Sequence, residues 1–94
     1  MQRRIQVHVR VHGDLRTTSF RSMLQREAGR LGVRGWVRFQ EPDDGGAEAV
    51  FNGPEGNVMA LVRWCERGPL GPRVSEVGVE RMDREAFFGF DVRG

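Results

Sequence analysis

The sequence predicts an α+β sandwich in which an antiparallel sheet carries two helices on one face. Several short segments alternate hydrophobic and polar residues, which is typical of strands with one buried face. Two other segments place hydrophobic residues at helical spacing. With 94 residues, the chain can build one core and is too short for a second, so we expect a single domain over residues 1–94.

The first strand and the first helix have the clearest patterns. Residues 5–11 alternate valine or isoleucine with polar residues and predict a strand, with His8 on its polar, solvent-facing side. Hydrophobic residues then recur at helical spacing from about Phe20 to Leu31. Ser19 is placed as the N-cap of this helix, and Gly32 follows it as a C-terminal stop.

A hairpin is predicted next. Alternation resumes over residues 33–40 and again over residues 47–52, and a segment rich in Pro, Asp and Gly lies between them at 41–46. Two alternating segments joined by such a turn form an antiparallel strand pair.

A second helix and two further strands complete the chain. The helix is predicted to open in the turn-rich segment 52–56 and to end at Gly68 and Pro69. Its hydrophobic residues stand at i, i+3, i+4 and i+7, as Val58, Leu61, Val62 and Cys65. Valines within 74–79 and alternating residues within 88–92 predict a fourth and a fifth strand.

The resulting order is β-α-β-β-α-β with an extra C-terminal strand. This is the ferredoxin-like, split βαβ arrangement, in which two helices cover one face of an antiparallel sheet. The arrangement hosts many functions, so the fold does not decide the activity.

Composition and charge exclude several classes of protein. Hydrophobic residues make up 38% and charged residues 30% of the chain, as in folded globular domains. All fifteen positive residues are arginine and are spread along the chain, which favours a solvated surface over a nucleic-acid site. No stretch approaches the ~20 apolar residues of a membrane span, and no signal-type segment opens the chain. We expect a cytoplasmic protein, monomeric by default.

Two sequence signatures resemble those of the acylphosphatase family. The segment from Gly13 to Arg21, Gly-Asp-Leu-Arg-Thr-Thr-Ser-Phe-Arg, is similar to the family's G-x-V-Q-G-V-G-F-R. The segment Gly35-Trp36-Val37-Arg38-Phe39 is similar to G-W-V-x-N. Two further segments strengthen the resemblance: Trp64-x-x-x-Gly68-Pro69 and the closing Phe90-Asp91-Val92-Arg93. The resemblance runs from about residue 5 to residue 93 and implies a hydrolase of acyl phosphates that needs no metal or cofactor.

The first signature also has a physical interpretation of its own. A loop that leaves a strand and enters a helix directs free backbone N–H groups and the positive end of the helix dipole at one point, which suits an anion. Arg21 lies in the first turn of that helix, where its planar guanidinium could bind two anion oxygens. The alternative is a solvated arginine at the helix start.

The resemblance assigns roles to these residues. Arg21 would bind and polarise the phosphoryl group as the catalytic residue. The loop amides would cradle the phosphoryl oxygens, and we predict phosphate binding by Leu15, Arg16, Thr17, Thr18, Ser19, Phe20 and Arg21. The ligand would be a small acyl phosphate or another phosphate-like anion.

The chain departs from the family pattern at three positions. Thr17 and Ser19 replace loop glycines, which adopt positive φ freely and let a ligand approach the backbone. Phe39 replaces the asparagine that orients the attacking water in the resembled enzymes, and a phenyl ring has no hydrogen-bonding group. Gln40 could replace that asparagine only if a bulge rotated it inward, because alternation places it on the opposite face.

These departures lead us to expect weak or absent hydrolysis. The alternative function is a non-catalytic module that binds a phosphate ligand or a protein. The chain also resembles the acylphosphatase-like module at the start of larger carbamoyl-transferring maturation proteins, but no zinc-finger spacing or further segment follows, so we expect a separate protein. Nothing else supplies enzyme chemistry, because the two histidines have no nearby partner in sequence and Cys65 falls on a helix's apolar stripe.

Overall fold

The elements follow one another in the predicted order. The computed structural model of the chain describes residues 3–15, 19–39, 46–67, 74–83 and 89–93. Within these residues the strands and helices are β1 Arg4–Gly13, α1 Phe20–Leu31, β2 Arg34–Phe39, β3 Ala47–Pro54, α2 Glu55–Arg67, β4 Val74–Arg81 and β5 Phe90–Val92.

The strands form one sheet in the order β4-β1-β3-β2-β5. Strands β1 to β4 pair antiparallel, as predicted. The predicted extra C-terminal strand, β5, pairs parallel to β2; its direction was not part of the prediction. β5 runs parallel to β2 because both strands begin at the same end of the sheet. Phe90 pairs with Gly35, near the start of β2, and β4 finishes at this end. A strand that starts there must run along β2, so the sheet is mixed.

The two faces of the sheet differ in character. The residues of β1, β2 and β3 that point to one face are hydrophobic and pack with buried residues of both helices in one core. The helix residues in that core are Phe20, Leu24 and Ala28 of α1 and Val58, Leu61, Val62 and Cys65 of α2. Within the residues that the structure describes, no helix covers the other face, which we call the open face, and the strands carry mostly charged and polar residues there. The α+β sandwich with both helices on one face is confirmed.

The boundaries of α1 and β3 show where sequence signals succeed and fail. Helix α1 has the predicted bounds, and Gly32 ends it in the left-handed conformation with φ 68°. Strand β3 continues through Gly53 and Pro54, where a helix start was predicted. Both residues pair with β1, opposite Ile5 and Arg4, so sheet pairing overrides the turn signal. Among the described residues, no helix is long and apolar enough to cross a membrane.

Candidate anion-binding site

The first sequence signature and the end of β2 lie at one end of the sheet. Val11, near the end of β1, and Phe39, the last residue of β2, both pair with Ala47 at the start of β3. Strand β5 also ends here, because Val92 pairs with Val37. The topology therefore gathers the ends of three strands and the start of α1 in one place.

Two buried side chains fix the ends of the loop between β1 and α1. Leu15 is fully buried and Phe20 is 1% exposed, and both belong to the core. The Phe20 ring lies 6.0 Å from the Trp64 ring of α2. Because their side chains are buried, Leu15 and Phe20 could contact a ligand at this loop through their backbone only.

Arg21 follows Phe20 directly and its side chain is half-buried at this end of the sheet. Its Nη1 donates to the carbonyl oxygen of Arg93 at 3.1 Å. Its guanidinium carbon lies 4.1 Å from the centre of the Phe39 ring. In the described part of the chain, Arg21 has no carboxylate partner. A guanidinium has five N–H donors, so donors remain for an anion.

Phe39 and β5 are themselves held firmly. Phe39 is half-buried against the core and occupies the helix-facing side of β2. The backbone N–H of Arg93 donates to the carbonyl of Val37 at 2.8 Å. Gln25, one turn after Arg21 on α1, donates through Nε2 to the carbonyl of Phe90 at 2.8 Å. Helix α1 therefore holds Phe90 of β5 and Arg93, the residue after this strand, through their carbonyl groups.

The structure brings together part of the predicted site. Arg21 and Phe39, 18 positions apart in the sequence, are in direct contact. Ser19 is exposed at the N-cap position of α1, but its side chain makes no capping hydrogen bond, so the predicted cap is correct in position only. Arg16, Thr17, Thr18 and Gln40 lie outside the described residues. Their predicted roles, and those of the loop amides, remain predictions.

A second cluster of charged residues occupies the open face of the sheet. His8 Nε2 lies 2.6 Å from Glu48 Oε2, and Arg38 Nε donates to Glu48 Oε1 at 2.8 Å. The Glu48 side chain is 16% exposed. Burial raises the pKa of Glu48, but the contacts with His8 and Arg38 lower it more, so its pKa lies below the ordinary value. His8 thus has the solvent-side position predicted and a partner that the sequence did not reveal.

A shallow depression of about 340 Å³ lies beside this cluster. It is lined by His8, Arg10, Gly78, Val79 and Glu80. Gly78 has no side chain and pairs with Arg10 across the sheet, which leaves the space open. The depression is on the opposite side of the sheet from Arg21 and adds nothing to the anion site.

The remaining candidate groups are Cys65 and the side chains of the types that bind metal ions. Cys65 is 2% exposed and packs in the core, as predicted. Burial raises the pKa of its thiol to about 12, which disfavours the reactive thiolate. Among the described residues, no group of three or more His, Cys, Asp or Glu side chains could hold a metal ion.

Comparisons with known proteins agree with the signatures. The acylphosphatase family model matches residues 7–92. The chain is 40% identical over 92 residues to an acylphosphatase of Thermococcus kodakarensis, an alignment that covers 98% of this chain and 99% of that protein. The structure of an acylphosphatase from Coxiella burnetii superimposes with a TM-score of 0.87 at 31% identity, covering 96% of this chain and 93% of that one. An acylphosphatase from Bacillus subtilis gives 0.86 at 27% identity, with 96% and 99% covered.

Proposed function

The chain belongs to the acylphosphatase family, and from that membership we propose that it binds acyl phosphates at Arg21 and hydrolyses them weakly. The observation that supports the proposal is the surroundings of the Arg21 guanidinium. Its guanidinium is fixed by a backbone carbonyl and an aromatic ring at the end of the sheet where α1 begins, with no described carboxylate to neutralise it.

Binding follows from the charge and shape of this end of the molecule. An acyl phosphate carries its negative charge on the phosphoryl oxygens, which can accept N–H donors of Arg21 in a bidentate manner. The positive end of the α1 dipole adds a favourable field for an anion. We propose that the backbone amides of residues 15–20 complete the cradle, with Thr17, Thr18 and Ser19 adding hydroxyl donors.

Hydrolysis requires a water molecule aligned for attack on phosphorus. The water oxygen forms a bond to phosphorus, the bond from phosphorus to the acyl oxygen breaks, and the products are a carboxylate and inorganic phosphate. Arg21 would stabilise the charge on the phosphoryl oxygens during this step. Phe39 has no group that can hold the water, and catalysis of this kind depends on positioning. We therefore propose slow turnover.

The second candidate function is anion binding without turnover. The contact between Arg21 and Phe39 favours it, because the ring occupies the position of the water-orienting asparagine and lies against the residue that binds the anion. In this case the protein would hold phosphate or a phosphate-bearing ligand. Its cytoplasmic location and monomeric state remain predictions under either function.

Hydrolysis of benzoyl phosphate tests the proposal. The wild type is compared with Arg21→Ala and with Arg30→Ala, a matched control on the same helix whose Nε donates to Glu27 Oε1 at 3.0 Å. We expect Arg21→Ala to lower kcat/KM by about tenfold or more, because it removes charge-assisted hydrogen bonds of about 1.5–3 kcal/mol each. Arg30→Ala should leave kcat/KM unchanged.

Three outcomes bear on the two candidate functions. Equal activity in the wild type and Arg21→Ala would contradict the assignment of Arg21. If the wild type shows no hydrolysis, calorimetry with inorganic phosphate should still detect binding that Arg21→Ala lacks. Absence of both hydrolysis and binding would exclude both functions.

A further inference from the structure

We propose that Phe39 is a positioning residue for anion binding, which holds the Arg21 guanidinium through its ring face. This inference rests on the proposed function of Arg21. Its basis is the distance of 4.1 Å between the guanidinium carbon and the ring centre, which is well within the range of a cation–π interaction. Phe39 therefore has a role of its own, beyond filling the place of an asparagine.

The ring is attached to a rigid part of the fold. Phe39 is the last residue of β2 and pairs with Ala47, a fully buried residue at the start of β3. Its side chain packs against the core on the helix side of the sheet. A ring held in this way limits where the guanidinium of α1 can lie.

The chemistry of the contact matters as much as its position. A carboxylate or an amide oxygen beside Arg21 would accept its N–H groups, and a carboxylate would also neutralise its charge. A ring attracts the cation through the negative potential of its face and accepts none of the in-plane N–H donors. Phe39 therefore fixes Arg21 while leaving its donors and its charge available for an anion.

The carbonyl of Arg93 supplies the second point of attachment. It accepts one N–H from Nη1 of Arg21, and a carbonyl is neutral. Ring and carbonyl together hold the guanidinium from its face and from one nitrogen. The remaining donors have no partner in the described part of the chain, which is the arrangement that a preorganised anion site requires.

The test inverts the electrostatic potential of the ring face at residue 39 and keeps the shape of the ring. Phe39→pentafluorophenylalanine, made by chemical synthesis of the chain, has a ring of nearly the same size with an inverted quadrupole. Phe39→Leu removes the ring, and Phe39→Tyr restores it. The measured quantity is the dissociation constant of inorganic phosphate by calorimetry, with urea unfolding to confirm that each variant is folded.

We expect the pentafluoro and leucine variants to bind phosphate two- to fivefold more weakly, which corresponds to about 0.5–1 kcal/mol. Phe39→Tyr should bind within twofold of the wild type. In an Arg21→Ala background, the pentafluoro ring should have no effect. Arg38→Ala is the control: it removes another arginine that lies over an aromatic ring, that of Trp36, but on the open face, and it should leave the affinity unchanged.

Phosphate binding by the pentafluoro variant equal to that of the wild type would overturn the inference and leave the role of Arg21 intact. Equal binding by Arg21→Ala and wild type would overturn the proposed function, and the inference with it. A second readout needs no ligand. The side-chain protons of Arg21 should show an upfield ring-current shift in the nuclear magnetic resonance spectrum of the wild type and Phe39→Tyr. Absence of this shift in the wild type would also overturn the inference.

Discussion

Arg21 at the end of the sheet and Arg38 on its open face are held in opposite ways. Arg38 donates to Glu48, which is also bonded to His8, so its charge is matched inside the protein. Arg21 contacts a ring and a neutral carbonyl, and its charge is not matched by any described residue. The first arrangement completes a network, whereas the second leaves donors for a ligand.

The difference shows that an arginine can bind a ligand only where its neighbours leave N–H donors and positive charge available. The chain has fifteen arginines spread along its length, and residue type alone does not separate them. Arg81 pairs with Glu55, and Arg30 with Glu27, as Arg38 does with Glu48. Arg21 contacts a ring and a neutral carbonyl, and it also lies in the first turn of α1, within the first signature. These two features together make it the candidate anion-binding residue.

The largest effect is expected from Gly35→Ala, which should disrupt both regions together. Gly35 lies in β2, the strand that carries Phe39 on one face and Arg38 on the other. Its φ is +136°, and an added Cβ would lie 1.8 Å from the carbonyl oxygen of Val50. Backbone cannot move aside cheaply, so we expect the free energy of unfolding to fall by about 3 kcal/mol or more, as measured by urea unfolding.

Gly78→Ala is the control for this prediction. Gly78 lies in β4, on the open face, and an added Cβ there would meet nothing within 4 Å. The free energy of unfolding of Gly78→Ala should differ from that of the wild type by less than about 0.5 kcal/mol. Similar losses in the two variants would show that the close approach of Gly35 to Val50 is not the cause.

The second effect is expected from Phe39→Asn, which changes the anion site only. An asparagine can orient a water molecule, so we expect kcat for benzoyl phosphate to rise by about tenfold or more. The loss of the ring should raise KM by about two- to fivefold at the same time. The kinetics of benzoyl phosphate hydrolysis measure both. Unchanged kcat would contradict the prediction and indicate that a missing water anchor does not limit the rate.

Much of the fold could be predicted because its signals are local. Alternation located the strands, and Ser19 and Gly32 bounded α1 at the observed residues. The direction of β5 could not be predicted, since it depends on which edge and end of the sheet the chain returns to. The strand through Gly53 and Pro54 was also missed, because pairing with β1 is invisible in the local sequence.

The site could be predicted only in part, because its contacts join residues that are far apart in the sequence. Arg21 and Phe39 stand within recognisable signatures, but the partner of Arg21 at Arg93 is 72 residues away and is a backbone carbonyl, which any residue could supply. Gln25 and Phe90 are 65 residues apart. The contact of His8 with Glu48 had a weak signal: both residues lie on the polar side of their strands, and only the pairing of β1 with β3 brings them together.

The third effect is expected from Glu48→Gln, which changes the open face only. Removing the charge between His8 and Arg38 should lower the free energy of unfolding by about 1 kcal/mol at pH 7. Because the folded-state pKa of Glu48 is lowered, its contribution is present above the ordinary pKa of glutamate and is lost as pH falls through the folded value. The difference between wild type and variant should therefore shrink below about pH 4. Urea unfolding from pH 3 to pH 7 measures this, and activity towards benzoyl phosphate should not change. A constant difference across this range would contradict the role given to the charge.

The smallest effect is expected from Ser19→Ala, at the start of α1. A capping serine ordinarily contributes about 1 kcal/mol, but the Ser19 side chain makes no capping bond. We therefore expect urea unfolding to show a loss of less than about 0.5 kcal/mol. A loss of about 1 kcal/mol would show that the Ser19 side chain does cap the helix. A small loss would sharpen the contrast with the open face, where the polar groups of His8, Arg38 and Glu48 satisfy one another. The Ser19 side chain would then leave the first N–H groups of α1 available to a phosphate.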